Sequence, residues 1–278
     1  MQPRLELLHE AAKGVARESP PLLFVHGAFC AAWCWQRHFM PWFAERGFDC
    51  WALSLEGHGD SDGHQYLAAV SIDDYVRNLG AAVKRLRAAP IMIGHSMGGF
   101  VLQQYLTHHR LPAAAFLASV PPNGLASSSL RLMAQAPAML LGLNLYQQGR
   151  YDPAAEELRE MLLSPDAPDD TVDYLMQHCQ QESQRAVMDM TLVNPLGIRA
   201  IAPLPTLVLG AADDALISPQ DVVATAERLD VSAEILPHMG HMMMLDTHWD
   251  KTASRLLAWL ETLDCIGAGT EEETLIAH

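Results

Sequence analysis

The stretch that most restricts what this chain can fold into is Pro90-Ile91-Met92-Ile93-Gly94-His95-Ser96-Met97-Gly98-Gly99-Phe100. The apolar run Pro90–Gly94 reads as a buried strand, and Phe100–His109 reads as a helix. Only Gly-x-Ser-x-Gly lies between them. A chain that leaves a strand and enters a helix in so few residues must turn sharply, and the flanking glycines make room for it. The serine at the apex is thrust clear of the sheet on a strained backbone. Such a turn requires strands that are each followed by a helix.

The rest of the sequence keeps that rhythm. Strands are expected at Leu5–His9, Leu22–Val25, Asp49–Leu53, Ala113–Val120, Thr206–Leu209 and Ala233–Leu236, all short and nearly continuous in apolar residues. Helices are expected at Ser71–Ala88, Gln220–Leu229 and Trp249–Leu263, with a helix-like spread in the Trp-rich stretch Ala31–Arg46. Ser71 followed three residues later by Asp74 is a helix start signal. Continuous apolar strands alternating with helices predict an α/β fold: a mostly parallel central sheet of seven or eight strands, covered by helices on both faces. Residues 121–202 break the rhythm. They are helix-rich, punctuated by Pro and Gly, sticky at first (Leu130 to Leu145) and then acidic (Asp152 to Asp173). They read as a helical cap inserted into a core made of residues 1–120 and 203–264. Residues 265–278 read as a flexible tail.

Composition narrows the function classes. With 278 residues, 50% of them hydrophobic and 18% charged, the chain can bury a large core without disulfides or metals. The net charge is 18 − 33 = −15, which repels phosphate backbones and anionic membranes, so no nucleic-acid partner is expected. Five scattered cysteines without a C-x-x-C pair do not form a disulfide framework or a zinc knuckle. The sequence has no signal-peptide pattern and no apolar run of 18 residues, so the default expectation is a cytoplasmic protein without membrane insertion. Nothing in it specifies an oligomeric state.

A serine hydroxyl is a weak nucleophile and needs a base. His241, in Pro237-His238-Met239-Gly240-His241, follows the strand Ala233–Leu236, on the side of the sheet where open α/β folds place their sites. His238 is the competitor, but Gly240 permits the tight turn that can aim His241. An acid must then orient the imidazole. Asp213 and Asp214 follow the strand before, and either fits. Acyl chemistry further needs donors for an oxyanion. The peptide N–H groups of Met97, at the start of the helix, and Ala28, after Leu22–Val25, are the candidates. Phe29, Trp33 and Met242 are candidate pocket residues. His58 and His95 read as turn residues. His238-x-x-His241 has metal-ligand spacing but no third ligand at a convincing offset, so no metal is expected.

Several of these stretches resemble the α/β-hydrolase family, in its serine esterase and lipase-like branch. His26-Gly27-Ala28-Phe29 is similar to its HG-loop, Gly57-His58-Gly59-Asp60-Ser61 to its GHGxS turn, Gly94-His95-Ser96-Met97-Gly98-Gly99 to its nucleophile elbow, and Gly240-His241 to its terminal GH. Ile217 and Ser218 follow Asp214 in the register of the family's acid, which favours Asp214 over Asp213. Ala211 stands where the family has glycine, and a single strand precedes the HG-loop strand, which implies seven strands where eight are usual. The resemblance implies a Ser96–His241–Asp214 triad with Ala28 and Met97 at the oxyanion, no cofactor, and a small-molecule ester substrate with a short to medium acyl chain, cleaved through an acyl-enzyme. Lactone or thioester hydrolysis, acyl transfer, cofactor-free peroxidation, C–C bond cleavage and non-catalytic binding are alternatives on the same fold.

Overall fold

The computed structural model describes residues 3–192 and 200–263. In chain order the elements are β1 (Leu7–Glu10), β2 (Leu22–Val25), α1 (Trp33–Gln36), α2 (Phe39–Ala44), β3 (Cys50–Leu53), α3 (Ile72–Val83), β4 (Ile91–His95), α4 (Met97–Leu106) and β5 (Ala114–Leu117). They continue with α5 (Ala126–Gln135), α6 (Pro137–Gln147), α7 (Ala155–Leu162), α8 (Asp169–His178), α9 (Gln184–Leu192), β6 (Thr206–Ala211), α10 (Pro219–Arg228), β7 (Ala233–Leu236) and α11 (Trp249–Leu260). The expected tail, 265–278, lies outside the described residues.

The strands form one seven-stranded sheet in the order β1-β3-β2-β4-β5-β6-β7. β1 is antiparallel to β3, and every other pair is parallel. From β2 the chain steps outward to β3 and then returns past β2 to lay down β4. The direction of winding therefore reverses between β2 and β4, and the loops leaving their C-terminal ends splay apart to leave a crevice. Those loops are His26–Phe29 and the Ser96 turn.

Each face of the sheet carries its own core. Phe24, Trp35, Phe39 and Phe43 pack together on one side, with Phe24 and Trp35 stacked at 4.9 Å. Val25, Met92, Phe100, Val101 and Tyr75 fill the other. Strands buried on both faces have no polar side to show, which is why they read as apolar runs rather than alternating ones.

Local chemistry sets the element ends. Ser71 accepts from Asp74 N–H while Asp74 accepts from Ser71 N–H, and Ser218 with Asp221 repeats the arrangement at α10. Three of the departures from the expected boundaries are informative. The periodicity through Leu86 runs past α3, because Leu86 keeps its apolar contact from a tightened turn, with its N–H bonded to Val83 O. Ala118, at φ 43°, ends β5 before Val120. The helix-like spread of the Trp-rich stretch is two short helices, α1 and α2.

Between β5 and β6 the described residues contain helices and no strand, α5 to α9. The helix α6 is apolar around most of its circumference (PAMLLGLNLYQ), yet none of its residues is fully buried. Among the described residues, no helix is long and apolar enough to cross a membrane.

Candidate active site

Ser96 is the hinge between β4 and α4, at φ 49° and ψ −119°. A non-glycine residue there costs on the order of 1–3 kcal/mol. Four backbone hydrogen bonds hold it. Ser96 N–H donates to Leu117 O (3.0 Å), and Ser96 O accepts from Gly99, Phe100 and Val120 N–H (3.0, 3.2 and 3.1 Å). At roughly 1 kcal/mol net for each bond, they offset the strain. A Cβ on Gly94 would lie 2.8 Å from Gly98 O, so packing also requires glycine at that point of the turn.

The three elements β4, β6 and β7 bring distant residues together. His241 Nε2 is 3.0 Å from Ser96 Oγ, and His241 Nδ1 is 2.7 Å from Asp214 Oδ2. The other Asp214 oxygen accepts from Leu216 and Ile217 N–H, both at 2.8 Å. Ser96, His241 and Asp214 are all buried. The two members of each ambiguous pair stand in different surroundings. Asp213 is exposed and reaches the histidine loop only through its backbone, N–H to Met239 O (2.9 Å). His238 is exposed at φ 53°, whereas His241 is buried. Among the described residues, no group of three or more His, Cys, Asp or Glu side chains is placed to hold a metal ion.

The His26–Phe29 loop lies against the serine. A Cβ on Gly27 would come within 2.9 Å of Ser96 Cβ, so Ala28, the next residue, is beside it. Met97 N–H opens α4, where the first N–H groups have no intrahelical partner. Ala28 and Met97 both line the cavity above Ser96.

Three supports were not legible as such in the sequence. His26 Nε2 accepts from Leu55 N–H (3.0 Å), which puts the ring proton on Nδ1, where it donates to Gly27 O (2.8 Å). Burial, with His58 nearby, pushes His26 down to about 3, so it stays neutral and the loop stays fixed. His95 donates its Nε2–H to His241 O (2.9 Å). Burial and the neighbouring His241 hold His95 well below the ordinary range, so it too remains a neutral brace. Asp246 is fully buried and accepts from Gly240 N–H (2.8 Å), Ser164 N–H (2.7 Å) and Thr247 N–H (2.6 Å), clamping the His241 loop to the segment after α7. His95 had a local turn explanation, His26 was marked only as the start of its loop, and Asp246 had no local signal at all.

Above the serine is a cavity of about 240 Å³. Its floor is Ser96, His241 and Met97, and its roof comes from α5, α6 and α7, chiefly Leu132, Met139, Leu143, Leu158 and Met161. Phe29 and Met242 are in the wall. Trp33, expected there, is not. Its ring packs edge-on to Tyr174 (5.4 Å) and against His178 (5.2 Å), because α8 covers that side of α1.

The match to known proteins agrees with this architecture. Residues 22–255 match the model of a family described as the alpha/beta hydrolase family. A pyrethroid hydrolase of Sphingobium wenxiniae is 26% identical over 207 residues, covering 70% of this chain and 71% of that protein. The fold is similar to a bromoperoxidase from Bacillus anthracis (TM-score 0.70, 16% identity, 93% of this chain and 96% of that one). It is equally similar to an esterase from Exiguobacterium antarcticum (TM-score 0.70, 12% identity, 94% and 96%).

Proposed function

The chain belongs to the alpha/beta hydrolase family and is an enzyme of the hydrolase class acting on a small molecule; from that premise we propose that it cleaves carboxylic esters by a Ser96–His241–Asp214 mechanism. The observation that carries the reading is the unbroken hydrogen-bonded chain Ser96 Oγ, His241 Nε2, His241 Nδ1, Asp214 Oδ2, at 3.0 and 2.7 Å, on the floor of an apolar cavity.

Each residue has a physical task. The Ser96 oxygen attacks the ester carbonyl while His241 Nε2 takes the hydroxyl proton. The carbonyl electron pair moves onto oxygen, and the N–H groups of Ala28 and Met97 donate to that oxyanion. When the intermediate collapses, the C–O bond to the alcohol breaks and His241 returns the proton to the leaving oxygen. Water then repeats the sequence on the acyl-enzyme and releases the acid. Asp214 keeps the proton of neutral His241 on Nδ1 and faces the imidazolium when it forms. Its two bonds from Leu216 and Ile217 N–H keep it aimed.

The helices of residues 121–202 serve in this reading as a cap, since α5, α6 and α7 supply the cavity roof. The aliphatic lining favours short to medium acyl or alkyl groups. The likeness to a pyrethroid hydrolase supports hydrolysis as the reaction class. The test is steady-state turnover of p-nitrophenyl esters of increasing chain length by wild type and Ser96→Ala. Turnover that peaks at one chain length and falls by about 10⁴-fold or more in Ser96→Ala is expected. Ser96→Ala turning over at the wild-type rate would remove the serine from the mechanism.

A further inference from the structure

The cavity wall offers few polar groups. Its aliphatic side chains present no polar atom, Glu160 is exposed to solvent, and several other polar side chains are tied to protein groups. Ser96 Oγ faces His241. Tyr151 OH donates to Glu157, and Ser128 OH donates to Asp221. Ser129 is in the second turn of α5, where a hydroxyl can bond back to the carbonyl four residues earlier. Tyr146, on α6, has no such recourse, because a phenol oxygen is too far from its own helix backbone. Its hydroxyl has no hydrogen-bond partner among the described residues, although the side chain lines the cavity.

Tyr146 is also placed over the reacting end of the cavity. Its ring lies 5.5 Å from that of Phe29 in a tilted contact, and Phe29 directly follows Ala28, the candidate oxyanion donor. Phe29 is itself held at φ 64°, and its carbonyl accepts from Gln180 N–H (3.0 Å), so the platform under Tyr146 is fixed. Burial raises the phenol above its ordinary range, so it remains a donor at neutral pH. When an apolar ligand expels water from the cavity, an unpaired hydroxyl becomes costly, and a ligand that offers an acceptor removes the cost.

We propose that Tyr146 OH is a specificity-determining donor and that the preferred substrates are neutral esters carrying a second hydrogen-bond acceptor, such as an ether oxygen, nitrile or additional carbonyl, apart from the scissile group. The inference rests on the ester-hydrolase reading and narrows it. A site built to pair a polar group discriminates against an analogue that lacks it more strongly than an apolar pocket discriminates by size.

The test uses matched p-nitrophenyl esters in which one CH₂ of the acyl chain is replaced by oxygen at successive positions, assayed with wild type and Tyr146→Phe. The oxygen also activates the carbonyl, so the quantity read is the ether-to-methylene ratio of kcat/KM, compared between the two proteins. For the best-placed oxygen, wild type is expected to exceed Tyr146→Phe in this ratio by roughly 5- to 30-fold. Plain alkanoates supply the reference rate within each protein, and circular dichroism should report the same fold. Equal ratios at every oxygen position, with esters still turned over, would overturn the proposal and leave the hydrolase reading intact. A wild type that turns over no ester of either series would overturn both.

Discussion

At the scale of single residues, the adjacent carboxylates Asp213 and Asp214 show how much turns on one position. Both follow β6, and only the family register separates them in sequence. In the fold, Asp214 is buried against His241 and bonded to two N–H groups, while Asp213 points to solvent. Asp214→Asn keeps the shape but loses the acceptor for the Nδ1 proton, which favours the wrong tautomer. Its kcat is expected to fall by about 10³- to 10⁴-fold. Asp213→Asn should stay within about threefold. Steady-state assays of the two variants side by side check this, and the reverse ranking would pass the acid role to Asp213. His95 teaches a related lesson. As an elbow residue it had a sufficient local explanation, and its bond to His241 O joins residues 146 positions apart that no sequence pattern links.

At the scale of elements, the helices between β5 and β6 are tied to the rest of the molecule by a few buried polar contacts. One is the Asp246 clamp. Another is Glu182, fully buried just before α9, with His58 Nε2 at 3.1 Å from one oxygen and Tyr75 OH (2.6 Å) and Ser183 N–H (2.6 Å) donating to the other. Burial pushes the Glu182 carboxyl up, but His58 and the donors outweigh it, and the net position is below the ordinary range. A carboxyl lowered in the folded state contributes stability above its unfolded value and loses it as the pH falls through the folded one. Glu182→Gln should therefore be less stable than wild type at neutral pH, by about 2–4 kcal/mol. The gap should narrow as the pH drops below the ordinary glutamate range. Urea unfolding at several pH values measures it, and a gap independent of pH would assign Glu182 a packing role only. His58 belongs to a turn that the sequence did mark, but its partner lies 124 positions away in residues that carried only a helical signal.

At the scale of the whole molecule, the sheet was legible because strands buried on both faces announce themselves as apolar runs, and β2, buried throughout, falls at its expected bounds. The strand order, and with it the winding reversal between β2 and β4, was not specified by the strands themselves. The cavity roof was not legible in detail: α6 is apolar on nearly every side, so periodicity could not say which face meets the site. Charge acts at this scale too. The cavity lining contains Glu157 and Glu160 and no Lys or Arg, in a chain of net charge −15. Hydrogen bonds from Tyr151 and Ala154 hold Glu157 below the ordinary range, so it is ionised at neutral pH. A hemiester bearing a free carboxylate should react several-fold more slowly than its methyl diester, with the difference shrinking as salt is added. Equal rates at low salt would contradict that electrostatic account.

The central claim is that Ser96 is an activated nucleophile. Intact-mass analysis after exposure to a fluorophosphonate tests it without knowledge of the natural substrate. One adduct per chain is expected on wild type, and none on Ser96→Ala. A wild-type chain that stays unlabelled under conditions that label a known serine esterase would contradict it.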